Sequence, residues 1–144
     1  MGRERGDGLV VVDTDPLKLH YVWIRWSLGQ GSEREWDLLR EQTRGGFAAG
    51  RYALADLFLI ADVDEVTLRE RRESDATRVR GAVERHALTR DSLQRWYRAI
   101  DELEPGRVRF GLPAKGLTPD LLKIGPRRVR SGVALFDALL NALI

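Results

Sequence analysis

The period of the apolar positions changes several times along the chain. Gly8-Leu-Val-Val-Val-Asp13 is a continuous apolar run closed by an acid. Its length and β-branching predict a strand, and apolarity on both faces predicts a sheet covered by helices on either side. Asp15-Pro16 follows as an N-cap with proline at the first helical position. Leu17, Tyr21, Ile24 and Leu28 then fall at helical spacing to about residue 28, where Gly29-Gln-Gly31 breaks the pattern. Ser32 and Glu35 make a capping box for a second helix, with Trp36, Leu39, Thr43 and Phe47 on one stripe. Gly45-Gly46 is expected to end or kink it.

Ala55-Asp-Leu-Phe-Leu-Ile-Ala61 reads as a second buried strand. Asp64 can cap a helix through about Glu73, and helix resumes from about Thr77 to Leu103. A break is expected near Asp91, where Asp91 and Gln94 offer another capping box. Arg107-Val-Arg-Phe110 is a third, shorter strand, and residues 111–130 read mainly as loop. Ser131 caps a last helix carrying Val133, Leu135, Phe136, Leu139, Leu140 and Leu143. Strands alternating with helices predict crossovers and a parallel sheet. The expected fold is therefore one α/β domain over residues 1–144, with about three strands and helices on both faces. Residues 1–8, charged and glycine-rich, are its flexible N-terminus.

Composition narrows the chemistry. Hydrophobic residues make up 43% of the chain and charged residues 32%, an ordinary globular balance that argues against disorder throughout. Without cysteine, disulfides, thiolate metal sites and cysteine nucleophiles are excluded, and with only His20 and His86 a histidine-rich metal site is excluded too. No apolar run approaches the roughly 20 residues of a membrane span, and residues 1–8 have the wrong composition for a signal peptide, so a cytoplasmic protein without a membrane partner is expected. The formal net charge is +2 and nearly all the basic residues are arginines. Arg127, Arg128 and Arg130 cluster in a basic tail that is either a solvated face or a contact for phosphate or nucleic acid.

Ligands of open parallel sheets bind at the carboxyl ends of the strands. Two apolar runs lead into acids there: Asp13 with Asp15, and Asp62 with Asp64. A carboxylate so placed can hold Mg²⁺ or accept a proton from an attacking hydroxyl. Asp15 and Asp64 have the simpler alternative of capping helices; Asp13 does not. Arg71, Arg72, Arg78 and Arg80 flank Ser74-Asp75-Ala76 between two helical stretches. Guanidinium forks bind phosphate oxygens bidentately and neutralise charge that moves in phosphoryl transfer; the alternative is a solvated surface of Glu/Arg pairs.

The order Val10-Val-Val-Asp13, Ala55-Asp-Leu-Phe-Leu-Ile-Ala-Asp-Val-Asp64, Leu68-Arg-Glu-Arg-Arg72, Asp75-Ala-Thr-Arg78 and Gln94-Arg-Trp-Tyr97 resembles the P-loop nucleoside and nucleotide kinases, the thymidylate-kinase-like group above all. The resemblance covers about residues 9–110. It implies a three-layer parallel sheet, ATP and Mg²⁺ as cofactors, and a small phosphate acceptor such as a nucleoside or nucleotide. It further implies that Asp13 stands by the metal or the accepting hydroxyl and that Arg71, Arg72, Arg78 and Arg80 form a lid over the transferred phosphate. Asp15, Arg127 and Arg128 become candidate contacts to the cofactor. Two departures matter. Asp13-Thr14 stands where such kinases carry Asp-Arg, and GxxxxGK[ST] occurs nowhere in the sequence. The family's first strand and phosphate loop would precede Met1, so the chain is expected to match the C-terminal two-thirds of such a fold, incomplete in its sheet and weak or inactive in turnover. A non-catalytic binding or regulatory domain on the same scaffold is the alternative, with nucleic-acid binding through the basic tail as a lesser one. An open sheet edge would favour pairing into homodimers.

Overall fold

The computed structural model describes residues 3–4, 10–61, 70, 82–118 and 132–144. The chain divides into two compact units, Met1–Thr43 and Arg44–Ile144.

In the first unit, β1 (Arg3–Glu4) pairs antiparallel with β2 (Val10–Val11), in the register Arg3↔Val11 and Glu4↔Val10. This corrects the expectation of a buried parallel strand ending at Asp13. Val10, Val11 and Val12 are 56%, 40% and 41% exposed. A two-residue ribbon with a charged partner strand leaves β-branched side chains in water whatever their propensity. Helix α1 runs Leu19–Ser27, three residues later than the Asp15-Pro16 signal predicts. Asp15 Oδ1 instead accepts the Leu17 N–H at 3.1 Å, an Asx turn, and Lys18 then takes a left-handed backbone (φ 54°) that no α-helix can include. The later start also rotates the buried stripe. It consists of Leu19, His20, Trp23 and Ile24, while Tyr21 is 51% exposed.

Helix α2 spans Glu33–Ala48, and its N-terminus forms as the capping signal predicts, the Glu35 N–H donating to Ser32 Oγ at 3.1 Å. Trp26 of α1 stacks on Trp36 of α2 with ring centroids 5.4 Å apart, fixing one helix on the other. Trp36, Thr43 and Phe47 are buried, as their shared stripe requires. Helix continues through Gly45-Gly46 to Ala48, which corrects the expected break. Gly46 has a packing reason: the Tyr52 ring lies where its Cβ would stand.

In the second unit, β3 (Phe58–Ile60) pairs with β4 (Val108–Phe110) in parallel, in the register Phe58↔Val108, Leu59↔Arg109 and Ile60↔Phe110. The expected seven-residue strand is shortened to three. Between them in the chain lies helix α3, Ala82–Leu103, which packs on β4 and on the last helix, α4 (Val133–Leu143). Helix α3 is unbroken at Asp91, because the apolar stripe simply continues past it to the buried Trp96, Tyr97 and Ile100. Phe136, Leu139, Leu140 and Leu143 of α4 are buried, and Phe136 stacks on Phe47 at 5.0 Å. Gly132 occupies the N-cap position of α4; the expected cap, Ser131, lies outside the described residues. The chain is thus a mixed α/β protein with a small parallel pair bridged by a long helix.

Candidate functional site

The parallel pair has two chemically different ends. Its amino end is locked. The Arg107 side chain is 1% exposed and donates from Nε to the Ala55 carbonyl at 2.9 Å, while the Arg107 carbonyl accepts the Phe58 N–H at 2.8 Å. Asp101 of α3 ties the helix to the same end, its Oδ1 accepting the N–H groups of Gly106 at 3.1 Å and Val108 at 3.2 Å. Gly106 has φ 83°, so the reversal from α3 into β4 uses a backbone state that side-chain-bearing residues resist. A locked end is poor ground for a ligand.

The carboxyl end of β3 leads, after Ala61, into residues outside the described ones. The Gly111 N–H donates to the Ile60 carbonyl at 2.7 Å, extending the pairing by one bond beyond Phe110. The Arg98 guanidinium of α3 stands 5.9 Å from the centroid of the Phe110 ring, which brings a positive charge to this end. In sequence, Ile60 leads within four residues through Asp62 to Asp64.

Of the sequence-derived candidates, Asp13 is exposed and follows the antiparallel β2, so the topology does not set it at the carboxyl end of a parallel strand. Asp15 is half-buried and its carboxylate is used locally: Oδ1 holds the Leu17 N–H, and Oδ2 lies 3.7 Å from His20 Nδ1. His20 is 2% exposed, and burial pushes its pKa below the ordinary histidine value, with the Asp15 charge opposing. Arg71, Arg72, Arg78, Arg80, Arg127 and Arg128, with Asp62 and Asp64, lie outside the described residues. Among the described residues no three His, Asp or Glu side chains gather as a metal site.

Two arginines were not singled out by sequence reasoning. Arg107 reads from sequence only as a strand member, because an arginine opening a short apolar run ordinarily faces water. Arg98 was one of many arginines on a helix, and only its distance to Phe110 separates it from the rest. A cavity of about 330 Å³ also opens between α3 and α4, lined by Asp91, Gln94, Arg95, Arg98 and Glu102 with Leu143 across from them. Comparison with family models, with curated proteins and with solved structures finds no match to this chain.

Proposed function

We propose that this chain is a nucleoside- or nucleotide-kinase-like protein that handles ATP and a small phosphate acceptor at the carboxyl end of the β3–β4 pair. The observation that carries the reading is the parallel pairing of Phe58–Ile60 with Val108–Phe110 through a connection containing α3. It agrees with the arrangement implied by the motif order, and in the sequence Asp62 and Asp64 follow the strand Phe58–Ile60, where ligands of parallel sheets bind. Asp13 loses the topological ground for its metal role, and these two acids take its place in the proposal.

The roles follow from charge. Arg71, Arg72, Arg78 and Arg80 bind phosphate oxygens and offset negative charge as it shifts from donor to acceptor. Asp62 or Asp64 accepts the proton of the attacking hydroxyl, and Arg98 adds positive potential at the same end. Mg²⁺, when bound with ATP, supplies charge neutralisation between the phosphates. Arg127 and Arg128 are contacts to the nucleotide's phosphates. The given sequence contains no GxxxxGK[ST] loop, so the proposal expects these residues alone to turn over well below the roughly 1 s⁻¹ at the low end for kinases.

Calorimetric titration with ATP and Mg²⁺, paired with a steady-state assay over nucleosides and nucleotides, tests both parts. The proposal expects weak, salt-sensitive nucleotide binding that is lost in the Arg71→Ala/Arg72→Ala double variant. Absence of binding, or binding indifferent to those substitutions, overturns it.

A further inference from the structure

We draw no further inference here: the strongest candidate, the long edge of the apolar strand β3 on the side away from β4, which is its one neighbour among the described residues, carries none because nothing in the structure shows what covers it.

Discussion

Arg107 and Ala55 are joined by a hydrogen bond of 2.9 Å from a guanidinium that is 1% exposed, 52 residues away in the chain from the carbonyl it holds. This bond sets the start of β3 beside the start of β4 and so fixes which residues stand at the opposite end. A buried arginine is costly unless its donors are used, and removing it leaves the Ala55 carbonyl without that donor. Arg107→Ala is therefore expected to cost about 2–3 kcal/mol of stability, and Arg107→Lys to recover little because an ammonium cannot reproduce the fork. Urea unfolding checks both; a lysine variant as stable as the parent would contradict this account of the anchor.

Gly45 and Gly46 give a matched pair of opposite sign. Both lie in the last turn of α2, and a Cβ at Gly45 would meet open space whereas one at Gly46 would meet the Tyr52 ring. Gly45→Ala should stabilise by about 0.5–1 kcal/mol through helix propensity. Gly46→Ala should destabilise by roughly 1–3 kcal/mol as the ring is displaced. Thermal unfolding of the two variants decides the point, and equal behaviour would mean that Tyr52 does not sit on this turn.

His20 predicts a pH dependence whose sign is fixed by burial. Its folded pKa is lowered, so the unfolded chain binds the proton more readily. The stability it contributes is fully present above the unfolded value of about 6.5 and is lost as pH falls below it toward the lowered folded pKa. Asp15 acts against that shift. Asp15→Asn keeps an oxygen for the Leu17 N–H but removes the charge, so it should lower the His20 pKa further and make the acid loss steeper. Imidazole NMR titration together with stability at several pH values tests this. A rise of the His20 pKa in Asp15→Asn would show that the carboxylate does not oppose burial there.

Arg44 and Asp137 form a two-pronged contact, with both nitrogen–oxygen distances 2.8 Å, between α2 and α4. The Arg44 hydrogen bonds hold the Asp137 carboxyl below the usual carboxylate range, so its contribution is present at neutral pH and fades as acid protonates it. Both side chains are solvated, and the contact is expected to matter little. Asp137→Asn should leave the unfolding midpoint almost unchanged at moderate salt. A large loss would assign these charges a structural weight that their exposure argues against.

Much of the fold was legible where a local signal and tertiary packing agree. The Ser32 cap, the Trp36–Thr43–Phe47 stripe, the apolar face of α4 and the parallel partnership of residues 58–60 with 108–110 are of this kind. Misreadings occurred where a local signal was satisfied in a second way. Asp15 can cap a helix or an Asx turn, and Lys18 decides between them through a backbone angle that no pattern of apolar positions encodes. Leu9–Val12 has the composition of a buried strand, but burial needs a covering layer, and composition does not supply one. For the proposed site, Asp62 and Asp64 are readings of the sequence alone and lie outside the described residues. The positions of Arg98 and Arg107 could not be read there, since a long arginine side chain can point to water, to a ring or to a carbonyl from the same helix or strand.

The most direct test of the phosphate-handling site is a map of backbone amide shifts on adding ATP with Mg²⁺. The account predicts that the shifts gather at the Ile60, Phe110 and Gly111 end and leave Ala55, Arg107 and Val108 unmoved. Shifts confined to the Arg107 end, or none at all at saturating nucleotide, would contradict it.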